Sequence, residues 1–268
     1  MHPDRSGTRP PLDASALTAG LTVDGGFWRS LEVVEEVGST NAVLLEQGDV
    51  PEGAVLVAEH QGEGRGRLDR VWVSPPRAGL TVSVLLRPDV PAARRGWLSL
   101  LTGVAVAEAV AEVAGVRAAL KWPNDLLAAD GRKLAGILAE ASGGRVVVGL
   151  GLNVSTTADE LPDAGTSLAL AGAADVDRGD LLLAYLRRFE QRYTRWVGAL
   201  GDPVASGLAR DYLGWSATVG ASVAVTLPDG SVLEGVAEAV DWDGRLVVAT
   251  DGGRVELATG DVRHVRRV

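Results

Sequence analysis

Three arginines and three glycines crowd the run QGEGRGRLDRVWVSP at residues 61–75: Arg65, Arg67 and Arg70 alternate with Gly62, Gly64 and Gly66. Glycines let a backbone approach a ligand and expose successive amides, and guanidinium forks make paired contacts to carboxylate or phosphate oxygens. The whole chain carries a formal net charge of −9, so an anion bound here is gripped locally. The spacing fits neither a Walker loop, since no Gly-Lys-Ser/Thr occurs, nor the dinucleotide fingerprint. Lysine is the second signal. Of 26 basic residues only Lys121 and Lys133 are lysine. Arginine and lysine interchange on a solvated surface, but not where a compact ammonium must meet an oxygen. KWPNDLL starts at Lys121 and GRKLAGILAE contains Lys133. A strand, a turn and a second strand would bring both ammonium groups together, with Pro123 fixing the backbone before Asn124 and Asp125.

The elements that must position these groups alternate along the chain. SLEVVEEV and AVLVAEHQ read as strands on either side of STNAVLLEQ, a helix whose first residues suit an N-cap. GLTVSVLL alternates like a strand, and residues 92–116 read as a long, alanine-rich, buried helix. Residues 118–127, 132–141 and 145–154 are strand-like runs joined by turns, and 180–200 is a helix with Leu181, Tyr185, Phe189 and Trp196 on one stripe. From residue 217 the pattern changes to short β pieces with glycine turns, four strands in all, which predict a small SH3-like barrel. The fold class expected is α+β: a flexible segment at 1–28, a mixed-sheet catalytic domain at 29–216 and the barrel at 217–268.

Composition excludes several functions. Without cysteine there is no disulfide, thiolate metal site or thiol nucleophile, and a reducing cytoplasm fits. The first twenty residues have charges and prolines where a signal peptide needs an apolar stretch, and no later segment gives 18 uncharged apolar residues, so neither secretion nor membrane insertion is expected. Net acidity argues against nucleic acid, whose binding draws on phosphate neutralisation. The barrel repeats the point, with eight acids against five arginines from residue 217.

The combination of STN at 39–41, Gln61 with GRGR at 64–67, Trp72 in VWVSP, KWPND at 121–125, RKLAGIL at 132–138 and GLGLNV at 149–154 resembles the biotin protein ligases. The likeness covers roughly residues 30–268, on a fold shared with the class II synthetases. It implies that biotin and ATP form biotinyl-5′-AMP, and that a lysine of a biotin carboxyl carrier domain then takes the biotin. Ser39, Thr40, Asn41 and Gln61 would bind the ureido head. Gly64, Arg65, Gly66 and Arg67 would close over the carboxylate and acyl phosphate. Lys133 would lie beside the reacting carboxylate and α-phosphate, acting in catalysis with Arg67. Arg70, Lys121, Asn124 and Asn153 would serve the nucleotide phosphates, and Trp72 would pack on adenine. Gly136 and Gly149 would keep the pocket wall low. Magnesium would arrive on the ATP phosphates, which Lys121, Asn124 and Asn153 would serve together with it.

Family loops usually carry glycine near the position of Asp69, an acid that bears on loop closure. Only 38 residues precede Ser39, too few for the winged helix-turn-helix of the repressor members. The resemblance therefore implies a ligase without an operator-binding domain, either monomeric or a weak homodimer. The alternatives are a lipoate or octanoate ligase on the same fold, and a biotin or nucleotide sensor without chemistry.

Overall fold

Period-two alternation over residues 30–86 and 119–153 builds one sheet whose two faces have different tasks. In the computed structural model, which describes residues 9–21, 26–67 and 70–265, seven strands form it: β1 (Ser30–Val37), β2 (Ala54–Gln61), β3 (Gly79–Leu86), β4 (Ala119–Lys121), β5 (Asp125–Leu127), β6 (Lys133–Ser142) and β7 (Arg145–Asn153). Their order is β1-β2-β3-β7-β6-β5-β4. β1 and β2 are parallel and every other pair is antiparallel, giving the mixed sheet expected.

All eight residues of β3 are buried, because both faces of the sheet are covered there. On one face Leu80, Val82, Val84 and Leu86 join the main core, packed under α3 (Trp97–Ala114) and α4 (Arg178–Gly198). α3 is long and apolar enough by composition to cross a membrane. It is apolar because twelve of its 18 residues are buried, while Glu108 and Glu112 accept hydrogen bonds from Arg192 and Arg188 of α4. Gly115 ends it in the left-handed region at φ 65°, where a side chain would be strained. The other face carries a small cluster of Leu44, Leu56, Leu85 and Val147 beneath α2 (Thr40–Glu46). Beside that cluster the face is lined with small and polar residues and stays open.

Two sequence expectations need correction, and one further helix is added. Part of the segment expected to be flexible is folded: α1 (Ala14–Leu21) buries Leu17 and Leu21 against α4 and β1. Ahead of it the chain is tied down by Arg178 donating to the Pro10 carbonyl (2.7 Å) and the Leu12 amide donating to Glu59 (2.6 Å). These anchors are 168 and 47 residues away, so no local pattern announces them. A further helix, α5 (Leu208–Trp215), precedes the C-terminal module. That module has five strands rather than four: β8 (Ser222–Thr226), β9 (Val232–Val240), β10 (Leu246–Thr250), β11 (Gly253–Leu257) and β12 (Asp261–His264), antiparallel in the order β11-β10-β9-β8-β12. β12 has only four residues, three of them polar or charged, and it reads as a strand only because β8 pairs with it.

The module is bolted to the first sheet. Val223, Val225, Leu246 and Val248 share the main core. Trp122 donates its amide to Thr218 Oγ1 and its indole to the Gly244 carbonyl, each at 3.0 Å. Trp97 gives its indole N–H to the carbonyls of Asp241 and Trp242.

Candidate active site

Strand register lays out the floor of the cleft. Thr81, Gly151, Gly136 and Asp125 are successive partners across β3, β7, β6 and β5, and Asp125 pairs in turn with Lys121 of β4. Two residues along, Ser83, Gly149 and Leu138 form a second row. Side chains two apart share a face, so both rows point into one cleft. The loop after β2, the start of α2, the Lys121–Asp125 turn and Gly260–Asp261 of the C-terminal module form its walls.

One wall is a closed polar network. Ser39 caps α2, its Oγ accepting from the Ala42 amide at 3.4 Å. Thr40 donates its amide (2.8 Å) and its hydroxyl (2.9 Å) to Gln61 Oε1. Asn41 donates to the Leu138 carbonyl (3.1 Å) and to Glu140 (2.7 Å). Ser83, fully buried, lies 2.7 Å from Thr40 Oγ1 and 2.6 Å from Asn41 Oδ1. The amide of Asn41 is thus engaged within the protein. A Cβ on Gly149 would stand 2.4 Å from Asn41 Oδ1, so glycine is required there by the asparagine. Gln61 Nε2 accompanies an oxygen already used by Thr40 and faces Gly64, leaving a fixed donor at the cleft.

The opposite wall is built of charges. Lys133 Nζ is 2.6 Å from Asp125 Oδ1, and Lys121 Nζ is 3.8 Å from Asp125 Oδ2. Both lysines therefore meet, as expected, across one carboxylate that the sequence reading did not rank among the site residues. The described flanks of the arginine loop pair with each other: Gly66 N–H donates to the Arg70 carbonyl at 2.6 Å, Trp72 N–H to Gly64 at 2.8 Å, and Arg65 bridges Val71. Arg67 donates to Thr259 and Arg70 to Asp261, each at 2.5 Å, tying the loop to the C-terminal module. Burial draws the Arg67 guanidinium below its ordinary pKa, against the opposing fields of Asp125 and Asp261. The hydrogen bond and charge of Asp261 raise that of Arg70. Burial would lift the Asp261 carboxyl, but the Arg70 hydrogen bond and the charges of Arg70, Lys121 and Lys133 hold it below the usual range. Burial, helped by Lys121, lowers His264.

Between the walls lies the Trp72 indole. Its ring stands 5.6 Å from Lys133 Nζ and occupies the slot above Gly151, where a Cβ would come within 2.4 Å. Its Nε1 is buried with no hydrogen-bond partner among the described residues. Gly151, Thr81, Asp125 and Asp261 in the cleft lining, and Ser83 behind it, are among the residues the sequence reading did not rank. Gly151 had a signal, since it alternates with Gly149 in GLGLNV, whereas Asp261 had none.

Most of the expected residues line this cleft: Ser39, Thr40, Asn41, Gln61, Arg65, Gly66, Arg67, Arg70, Trp72, Lys121, Asn124, Lys133 and Gly136. Gly149 lines it too. Gly64 lies on the outer side of the loop, where a Cβ would strike the Trp72 carbonyl at 2.3 Å. Asn153 is not brought in: it is buried, donating to the Thr166 carbonyl at 2.9 Å. Asn124 donates to the Ile137 carbonyl at 2.8 Å and presents only its remaining polar groups. Asp69 lies outside the described residues.

Known proteins share this arrangement. Residues 33–156 match the biotin/lipoate A/B protein ligase family, and residues 218–265 match the biotin protein ligase C-terminal domain. The biotin–[acetyl-CoA-carboxylase] ligase of Mycobacterium tuberculosis is 44% identical over 98% of this chain and 99% of its own length. The chain belongs to the biotin protein ligase family. The bifunctional ligase/repressor BirA of Escherichia coli is 31% identical over 86% of this chain and 71% of its own. Among solved structures, the biotin protein ligase of Aquifex aeolicus in complex with biotin and ATP superposes with a TM-score of 0.76 at 28% identity, covering 89% of this chain and all of that one. The family's α+β core and antiparallel C-terminal module are the two units described here.

Proposed function

We propose that the two walls divide the labour of an ATP-dependent biotin ligase, which makes biotinyl-5′-AMP and passes biotin to a carrier lysine. The observation that carries this reading is the cluster of Lys133, Lys121, Arg67 and Arg70 facing a neutral hydrogen-bonding wall across one cleft. An uncharged ureido ring needs fixed donors and acceptors, which Ser39, Thr40 and the Gln61 amide supply. Asn41 acts one step behind, holding α2 against β6.

Arg67 and Lys133 face the biotin carboxylate and the α-phosphate. As the carboxylate oxygen attacks phosphorus and pyrophosphate departs, preorganised cations stabilise the developing charge without reorganising. Lys121, Arg70 and Asn124 take the nucleotide phosphates, and Trp72 with the Gly151 slot offers a flat apolar seat to adenine. Among the described residues no group of three or more histidines or acids could hold a metal, and the cleft carboxylates Asp125 and Asp261 are engaged by cations. Magnesium would accompany the nucleotide phosphates, which Lys121, Arg70 and Asn124 would hold. In the second step the carrier amine attacks the acyl carbon and AMP leaves.

The acceptor in this reading is a biotin carboxyl carrier domain of an acyl-CoA carboxylase. The protein acts in the cytoplasm, away from nucleic acid and membranes, as a monomer or weak homodimer. The net charge of −9 and the lack of cysteine support this reading. Incubation with labelled ATP and either biotin, lipoate or octanoate tests the substrate. Pyrophosphate release with biotin alone is expected, while release with an acyl-chain acid and none with biotin would overturn the assignment.

A further inference from the structure

Arg9 lies outside the cleft, yet its contacts lead to it. Its guanidinium meets the Glu160 carboxylate with both terminal nitrogens, at 2.7 and 3.4 Å, and donates to the Ser155 carbonyl at 3.2 Å. The two side chains are only 10% and 19% exposed, so water screens the pair weakly. Burial would lift the Glu160 carboxyl, but hydrogen bonds from Arg9 and Thr157 hold it below its ordinary range. Thr157 belongs to the same turn, so among the described residues Arg9 is the one partner that ties the Glu160 carboxylate to another part of the chain. Arg9 is itself held from behind. Arg178, paired with Glu59 at 2.7 Å, donates to the Pro10 carbonyl, and the Leu12 amide donates to Glu59.

The chain that follows Glu160 holds the backbone of Lys133. β7 pairs with β6 only as far as Leu152 and Ala135. Beyond that point the segment after β7 folds back and takes over: Lys133 N–H donates to the Ala164 carbonyl at 2.8 Å, and Thr166 N–H donates to the Lys133 carbonyl at 2.9 Å. Pro162 of the same segment lines the cleft. Residues 162–164 are exposed, so their path is set from its two ends, by the buried residues 165–168 on one side and by Glu160 on the other.

Resting on the ligase reading, we propose that Arg9 is a positioning residue for adenylate formation: through Glu160 it sets the course of residues 161–166, which fix the backbone from which the Lys133 side chain reaches the cleft. Arg9 touches no substrate in this role. A misplacement of about 1 Å at a reacting group costs up to about a hundredfold in rate, so a distant anchor of that backbone is felt in the chemistry. The wall built on α2 shares no hydrogen bond with this segment among the described residues, since Thr40, Asn41 and Ser83 are paired with Gln61, Leu138, Glu140 and one another. The biotin end of the cleft should therefore not sense the loss of Arg9.

Amide hydrogen exchange and steady-state kinetics on the full chain test this together. In Arg9→Gln, exchange at Lys133 and Thr166 should quicken by about tenfold or more. The kcat for pyrophosphate release from biotin and ATP should fall roughly ten- to a hundredfold, with the KM for biotin unchanged. Rates are read well below each variant's thermal midpoint, where a fold that is merely less stable keeps the wild-type kcat. Arg9→Lys, which keeps one charged contact, should recover part of the rate. Glu160→Gln keeps an acceptor for Thr157 and should reproduce the loss, which also serves if Arg9→Gln does not fold. The double variant should be no slower than either single one, because both remove the same interaction. Unchanged exchange at Lys133 and Thr166, or quicker exchange with wild-type kcat, would overturn the proposal, as would a rise in the KM for biotin that matched the fall in rate. Failure of wild type to release pyrophosphate from biotin and ATP would instead overturn the ligase reading.

Discussion

The two walls of the cleft solve opposite problems. On the side of α2, polar atoms are already paired with one another: Thr40 with Gln61, Ser83 between Thr40 and Asn41, and Asn41 with Leu138 and Glu140. On the side of the arginine loop, cations are paired with carboxylates: Lys133 with Asp125 and Arg70 with Asp261. A network whose polar atoms are paired with one another has fixed geometry before the ligand arrives, so it reads shape. A cation held by a carboxylate can exchange that partner for a phosphate, so it reads charge and can move as chemistry proceeds. The difference teaches that specificity and catalysis here are built from different kinds of bond.

Lys133→Arg tests the charged wall most severely. Arginine keeps the charge but replaces a point-like ammonium with a planar fork. Losing one preorganised contact costs about 10²- to 10³-fold in rate, so adenylate formation should fall that far while the thermal midpoint stays near wild type. Near wild-type pyrophosphate release would remove Lys133 from the reaction.

Gly149 and Gly151 sit two residues apart on β7, one under each wall, and alanine at each sharpens the contrast. Gly149→Ala drives a methyl into Asn41 and should raise the KM for biotin, whereas Gly151→Ala expels Trp72 and should raise that for ATP. Overpacking of this kind costs about 1–3 kcal/mol, or roughly five- to 150-fold. If both variants weakened the same substrate, the division of the cleft would be wrong. Lys121→Arg should have a smaller effect, of a few-fold, on the KM for ATP and almost none on that for biotin, read from initial rates of pyrophosphate release.

The smallest effect concerns the tie from the loop to the C-terminal module. The Asp261 carboxyl is held below its usual pKa, so its pairing stabilises the fold above the ordinary aspartate value of about 4 and is lost as pH falls through the lower folded value. Asp261→Asn should therefore lower the thermal midpoint at pH 7, and its gap to wild type should shrink as pH falls through the lowered folded value. The pair is about half exposed, so the gap at pH 7 should reach only about 1 kcal/mol. A difference that stayed constant from pH 7 down through acid pH would mean that the carboxylate charge is not what ties the loop.

The short strands around the site were legible because each carries its own signal: alternation in GLTVSVLL, paired glycines in GLGLNV, and lysines spared from an otherwise arginine-only chain. The network behind them was less legible. Ser83 looks like any outward serine of a strand until the register sets it beside Gly149 and beneath Thr40. Asn153 sits within a recognised motif, yet its amide is turned to Thr166 because the segment after β7 folds back over it.

By itself, the sequence determined what local chemistry can encode: strand and helix periods, a glycine loop able to approach an anion, the turn at KWPND, and which side chains carry charge without thiol chemistry. Tertiary structure alone decided which partners those charges hold at rest. Asp125 stands between two lysines because β4, β5 and β6 pair in one register, and Asp261 reaches Arg70 from 191 residues away. It also decided that residues 9–21 are folded, since Leu17 and Leu21 have a place to be buried only once α4 is in position. Periodicity reports which face of an element is apolar, but a salt bridge or a helix-to-helix contact depends on where two distant faces meet.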